Sequence, residues 1–186
     1  MSTGGNNLVI AATSGEKGRL TIAEWHAVGD APIRQLLSDF RPFVHASEVA
    51  IWVKDPAAEQ LVALFDSSGP GGAFELKVRQ PLATGIVSEV YREQKGYLDR
   101  GFWRSKKQSM LVDAALNQVT QHQICVPFAV AGTRFGVMSA VQLTDAKHAD
   151  PKRWGFEEED LTLLTLASLA LGQALERAYL AAQSRG

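Results

Sequence analysis

Residues 124–143, ICVPFAVAGTRFGVMSAVQL, decide the fold. Two apolar runs, 124–130 and 135–143, flank the turn sequence Ala131-Gly132-Thr133-Arg134, a pattern that predicts a β-hairpin. Successive side chains of a strand point to opposite faces. Neither face of the first run is polar, since one carries Ile124, Val126, Phe128 and Val130 and the other Cys125, Pro127 and Ala129. A sheet that is apolar on both faces must be covered on both, which predicts three layers.

The second run of this hairpin follows the same alternation. We assign one of its faces to Phe135, Val137 and Val141, and the other to Gly136, Met138 and Ala140. This strand, too, is expected to be buried on both sides.

Weaker patterns place the other elements around this hairpin. A second pair of strands is predicted at 49–54 and 61–65, joined by a turn that begins with Asp55-Pro56. Apolar residues at helical spacing predict helices from an N-cap at Asp30, at 81–94, at 110–119 and at 157–182. The last of these starts with four acidic residues, which stabilise the positive end of a helix dipole. The order of elements predicts an α+β fold.

Length and charge limit the domain count and the partners. The chain has 186 residues, which we divide into a flexible tail at 1–20, rich in Gly, Ser, Asn and Thr, and a single domain at 21–186. Nineteen basic against twenty acidic residues leave no basic excess for nucleic acid. No apolar stretch reaches the roughly 20 residues that span a bilayer, and from the first residues we expect no secretion signal. With one cysteine, we expect a cytoplasmic protein without nucleic-acid or membrane partners.

Three segments together resemble the GAF domain family. They are AIWVKD with QLVAL at 50–64, the VPF and GTRFGV parts of the hairpin, and FEEEDL with the following leucines from 156. Residues 81–87, PLATGIV, resemble the glycine-containing start of the family's pocket-side helix. The resemblance implies a central antiparallel sheet of five or six strands. It also implies N- and C-terminal helices on one face, and a helical insertion with a small-molecule pocket on the other.

The candidate pocket combines this resemblance with a basic, aromatic stretch at 92–107. Its rings could stack on a ligand while Arg100 or Arg104 binds a phosphate or carboxylate, so the expected ligand is anionic or aromatic. The alternative for this stretch is a solvated loop whose aromatic residues cap the sheet. We predict a pocket lined by ten residues: Trp52, Phe65, Tyr97, Arg100, Phe102, Trp103, Arg104, Met110, Cys125 and Met138.

The residue pattern argues against catalysis. Sulfoxide reductases of the GAF type need several cysteines, whereas this chain has only Cys125. The four histidines show no metal-ligand spacing, and we expect no metal and no cofactor. Cyclic-nucleotide-binding members of the family carry an Asn-Lys pair where this chain has Thr144 and Asp145, although Phe156 and Asp160 of that motif are present. The ion pair of the motif is therefore absent.

These observations predict a non-enzymatic sensor that binds a small molecule and signals through its terminal helices to a partner protein. Two alternatives are a dimerisation scaffold whose own side chains fill the pocket and, less favoured, an enzyme of the sulfoxide reductase type. The last helix carries apolar residues at alternating spacings of three and four. We expect this seam to form a parallel homodimer through Leu164, Leu171, Leu175 and Ala178.

Overall fold

A computed structural model describes residues 21–69, 74–99, 112–114, 117, 119–144 and 153–184, with all side chains in these ranges except those of 30–32 and 183. Helix α1 (Ile22–Phe40) runs into a 3-10 turn (Arg41–Val44). Strands β1 (Glu48–Lys54), β2 (Gln60–Asp66) and β3 (Arg79–Pro81) precede helix α2 (Ile86–Glu93). Strands β4 (Tyr97–Leu98), β5 (Val119–Val130) and β6 (Thr133–Thr144) lead to helix α3 (Glu158–Gln183).

The strands form one antiparallel sheet in the order β3-β2-β1-β6-β5-β4. The predicted hairpin is formed by β5 and β6, and β6 is a central strand, since it pairs with β5 on one side and with β1 on the other. The predicted α+β fold is confirmed, with helices α1 and α3 against one face of the sheet and α2 against the other.

The terminal helices and the sheet enclose the larger core. Trp25 of α1 stacks on Tyr179 of α3 at 5.5 Å between ring centroids and meets Phe135 of β6 edge-on at 4.7 Å. Helix α1 begins eight residues before the predicted N-cap, because Thr21 and Glu24 form a capping box. The Thr21 hydroxyl accepts the Glu24 N–H at 3.2 Å, and the Glu24 carboxylate accepts the Thr21 N–H at 2.7 Å.

A second core lies on the opposite face, between the sheet, helix α2 and residues 74–78. The N-cap of helix α2 is Gly85, whose φ of 85° lies in the left-handed region that glycine adopts without strain. Its buried residues Ile86, Val87 and Val90 pack with Trp52 and Val137 of the sheet. The predicted helix at 110–119 is described only at 112–114, and Val119 already belongs to β5.

One part of the predicted strand alternation is wrong. Phe135 lies in the helix-side core together with Met138, whereas Val137 lies in the opposite core. The β5–β6 register shifts between Phe128 and Ala129, and the extra residue of such a bulge changes which face the following side chains occupy.

The rotation of α3 is also the reverse of the prediction. The predicted dimer residues Leu164, Leu171 and Leu175 are fully buried against the sheet and α1, and Ala178 is half-buried. Leu163, Leu166 and Leu169, which lie outside the predicted seam, are 40%, 59% and 61% exposed. Apolar residues surround this helix, so spacing alone could not choose its buried side. Contact with β5 determines which side of α3 is buried, because Gly172 lies directly against the Ala129 carbonyl.

No helix in the described ranges is both long and apolar enough to cross a membrane.

The contact at Gly172 can be tested by substitution. A Cβ there would lie 2.2 Å from the Ala129 oxygen, so helix or strand must move. We expect Gly172→Ala to lower the free energy of unfolding by about 1–3 kcal/mol in urea denaturation, although alanine normally favours a helix. The control is Ala27→Gly at an exposed position inside α1, expected to cost about 0.5–1 kcal/mol. A Gly172→Ala protein more stable than wild type would contradict this packing.

Candidate functional site

A cavity lies between the sheet and helix α2, on the face opposite the terminal helices. Strand residues form its floor in rows across β1, β6 and β5. The first row is Glu48, Val141 and Gln123, and the second includes Ala50 and Ser139. The cavity has a volume of about 50 Å³. The other described wall residues are Trp52, Phe74, Gln80, Gly85, Ile86, Val87, Val112, Asp113 and Thr120.

One end of the cavity is polar. Asp113 is 5% exposed and accepts two hydrogen bonds from Thr120, from its N–H at 3.0 Å and its hydroxyl at 2.7 Å. These bonds attach the segment at 112–114 to the start of β5. Glu48 and Gln123 stand on the sheet floor at the same end, on either side of Val141.

The other end is aromatic and aliphatic. Trp52 donates its indole N–H to the Ser139 hydroxyl at 3.0 Å, which fixes the ring against the floor. Phe74 meets Trp52 edge-on, with 5.0 Å between ring centroids. Ile86 and Val87 of α2 complete this end, so the cavity has an apolar half and a polar half.

The structure brings together only part of the predicted pocket. Trp52 lines the cavity, and Tyr97 packs against the same core without lining the cavity. The assignment of Phe65 and Met138 to the pocket was wrong, because the strand register places their side chains in the helix-side core. Five predicted residues lie outside the described part of the chain: Arg100, Phe102, Trp103, Arg104 and Met110.

Cys125 is fully buried in the core that borders the cavity, as the cross-strand partner of Ser139. Burial raises the pKa of its thiol far above the usual value, because the thiolate would lose its hydration. A thiol in this state is a poor nucleophile.

Sequence reasoning missed most of the polar wall. Glu48 and Ala50 precede Trp52 by four and two residues, so the period of a strand could have placed them on the same face. Asp113 and Gln80 gave no such signal, since their positions depend on how loops fold over the sheet.

A buried ionic cluster connects the cavity wall to helix α1. Glu75, the residue after Phe74, accepts hydrogen bonds from His26 and Arg34 of α1 and is 5% exposed. Burial alone would raise the pKa of Glu75, but the bonds from Arg34 and His26 outweigh it and hold that pKa below the usual value. His26 also stacks on Phe65 at 4.9 Å, which joins the cluster to β2. Neighbouring residues at 74 and 75 thus contact opposite layers of the protein.

A shallower cleft lies at the start of α3. It is lined by Leu98, Asp99, His122, Trp154, Gly155, Phe156 and Glu157–Glu159, and it opens widely to solvent. Asp160 of the partial cyclic-nucleotide motif is used structurally, since it accepts the Glu157 N–H at 2.8 Å and binds Arg153. The enclosed cavity is the stronger candidate site.

No protein-family model matches the sequence, and no curated protein matches it. Solved structures match its fold. The GAF domain of an Acinetobacter phosphoenolpyruvate-protein phosphotransferase is 12% identical at a TM-score of 0.60, covering 90% of this chain and 89% of that chain. The blue-light absorbing form of the Thermosynechococcus elongatus PixJ GAF domain is 15% identical at a TM-score of 0.61, covering 88% and 91%.

Free methionine-R-sulfoxide reductase from Neisseria meningitidis, in complex with its substrate, matches at 15% identity and a TM-score of 0.58, covering 94% of this chain and 96% of that chain. The matched structures thus include both GAF domains and an enzyme, and at these identities they establish architecture alone. Sheet order, flanking helices and fold comparison agree that this chain has a GAF-like fold.

Proposed function

We propose that this chain is a non-enzymatic cytoplasmic sensor. It binds a small molecule in the cavity beside Trp52 and passes the state of that cavity through its terminal helices to a partner protein. The main observation that supports this proposal is that Phe74, which lines the cavity, is followed directly by Glu75, which binds helix α1.

The cavity favours a binding role over a scaffold with a filled pocket. Its walls combine buried polar groups with an aromatic end, a composition typical of small-molecule sites. Trp52, which could have filled the pocket, is instead held against the floor by its bond to Ser139.

The route to the helices is short. A ligand that shifts the backbone at Phe74 also moves the adjacent Glu75 and strains the bonds that Glu75 accepts from His26 and Arg34. The segment is also tied to β2, since the Leu76 N–H donates to the Ala63 carbonyl at 2.8 Å. A shift at the cavity is therefore transmitted to α1 and not absorbed by a free loop. Trp25 and Tyr179 extend the contact to α3.

The site chemistry supports the non-enzymatic assignment. Because one of the solved structures that match this fold is a reductase, the alternative function is thiol-based catalysis. Cys125 is the one cysteine of the chain, and its thiol is fully buried with a raised pKa. A reductase cycle needs an accessible thiolate and a second thiol to resolve the oxidised sulfur.

The homodimer remains part of the proposal, with a corrected surface. The exposed stripe of α3 includes Leu163, Leu166, Ala170 and Leu180, at heptad-like spacings. A second copy of the chain would cover these leucines, and pairing of the two α3 helices would carry a signal along the dimer axis.

Hydrogen exchange measured by mass spectrometry tests the connection between cavity and helix. In Glu75→Gln we expect amides in the first half of α1 to exchange about tenfold faster, because a charged hydrogen bond is lost. Phe74→Ala should change α1 in the same direction, although Phe74 lies on the other side of the sheet. Phe43→Ala is the matched control, since Phe43 is 70% exposed. If α1 keeps wild-type exchange in Glu75→Gln and Phe74→Ala while residues 74–81 change, the proposed route is wrong.

Light scattering tests the dimer. Wild type should have about twice the chain mass of 20.2 kDa. Leu166→Glu with Leu180→Glu should give a folded monomer, because paired helices would bury the added charges. The control is Ala57→Glu with Ala83→Glu, which adds the same charge at exposed positions and should stay dimeric. A wild-type monomer at tens of micromolar would contradict the dimer.

A further inference from the structure

The exposed stripe of α3 carries opposite charges at its two ends. Glu159 stands in the first turn of the helix and Arg177 lies close to its last turn, and both side chains are exposed. The spacing from 159 to 177 is about five turns of an α-helix, or about 27 Å along its axis. A whole number of turns places both charges on the same side of the helix.

These two charges are not neutralised within the described part of the chain. The neighbouring Glu157 and Asp160 are bound by Arg153, whereas no ion pair of Glu159 or Arg177 is found among the described residues. A helix face with an acid at one end and a base at the other is complementary to a partner that presents the same charges in reverse order.

The apolar middle of the stripe is complementary to itself when it is turned end to end. Leu166 lies about two turns after Glu159, and Ala170 lies about two turns before Arg177. Leu166 and Leu169 are 59% and 61% exposed, and Ala170 is exposed beside them. In an antiparallel pair of α3 helices, Leu166 of one copy therefore meets the small Ala170 of the other. Glu159 of each copy then lies opposite Arg177 of the other.

A parallel pair of α3 helices lacks this match. Each residue near the seam would lie opposite its own copy, so Glu159 would face Glu159 and Arg177 would face Arg177. Like charges placed across an interface repel each other. Leu166 would also meet a second leucine while Ala170 met only alanine, which leaves the seam crowded at one level and loose at the next.

We propose that a second copy of this chain covers the exposed stripe of α3 in antiparallel orientation. Two ion pairs between Glu159 and Arg177 fix the register, and the leucines pack between them. The inference rests on the homodimer of the proposed function and adds its geometry. It replaces the parallel arrangement that the spacing of apolar residues predicts.

Charge reversal tests the register, with the dissociation constant of the dimer measured by sedimentation equilibrium. Glu159→Arg and Arg177→Glu should each raise this constant about tenfold, because two attractive contacts become repulsive. The double variant should return to within about threefold of wild type, since opposite charges again face each other. The matched control Glu93→Arg, at an exposed position of α2, should leave the constant unchanged. Single reversals without effect would overturn the inference.

Added cysteines test the orientation without reversing a charge. Cys125 is fully buried and stays in place. On mild oxidation, Arg177→Cys mixed with Glu159→Cys should give a dimer linked between positions 177 and 159, identified by mass spectrometry. Arg177→Cys alone should stay unlinked, because antiparallel helices hold its two added thiols about 27 Å apart, far beyond the reach of a disulfide.

The other outcomes overturn the inference in distinguishable ways. A linked dimer of Arg177→Cys alone indicates parallel helices, and the proposed homodimer stands. A dimer in which neither sample becomes linked has a different interface. A wild-type monomer at tens of micromolar removes the homodimer as well, while the connection between cavity and helix is still decided by hydrogen exchange in α1.

Discussion

The fold depends on the central hairpin of β5 and β6, whose strands present apolar side chains to both faces. Such a pair cannot lie at a solvent-exposed surface, so the chain must supply a layer on each side. The terminal helices form one layer, fixed by aromatic contacts and by the approach of Gly172 to Ala129. Helix α2 and residues 74–78 form the other. The layers differ in packing, since the helix side is filled by large side chains and the α2 side encloses the cavity.

In the proposed function, this difference in packing assigns ligand binding to one face of the sheet and signalling to the other. A cavity between a rigid floor and a short helix can accept a ligand without disturbing the main core. The terminal helices can report that event only if something connects the two sides of the sheet. Residues 74 and 75 do so at the β2 edge, where a ring in the cavity wall is followed by a carboxylate bound to α1. In this account, movement of Phe74 is passed to α1 through the adjacent Glu75, whichever ligand binds.

The layered fold could be predicted from sequence because it follows from local patterns: two-residue alternation in the hairpin, turn residues between strands and an acidic first turn before a leucine-rich helix. The placement of Phe135 could not, since one bulge in the ladder changed its face. The rotation of α3 could not either, because leucines surround that helix and contact with β5 decides which ones are buried. Of the predicted pocket residues, Trp52 lines the cavity. The carboxylates of Asp113 and Glu75 were missed because their positions depend on contacts between distant segments, whereas strand alternation with Trp52 could have placed Glu48.

The central claim is that Phe74 and the α1 cluster act as one unit across the sheet. A double-mutant cycle measures this directly: Phe74→Ala, Arg34→Gln and the double variant are unfolded in urea alongside wild type. Phe74 and Arg34 belong to opposite layers and are joined through Glu75. The account predicts a coupling free energy of at least about 0.5 kcal/mol, as found for residues that share a network. If the losses in unfolding free energy of the two single variants add up to that of the double variant to within about 0.3 kcal/mol, the two sides of the sheet are independent. That result would contradict the account.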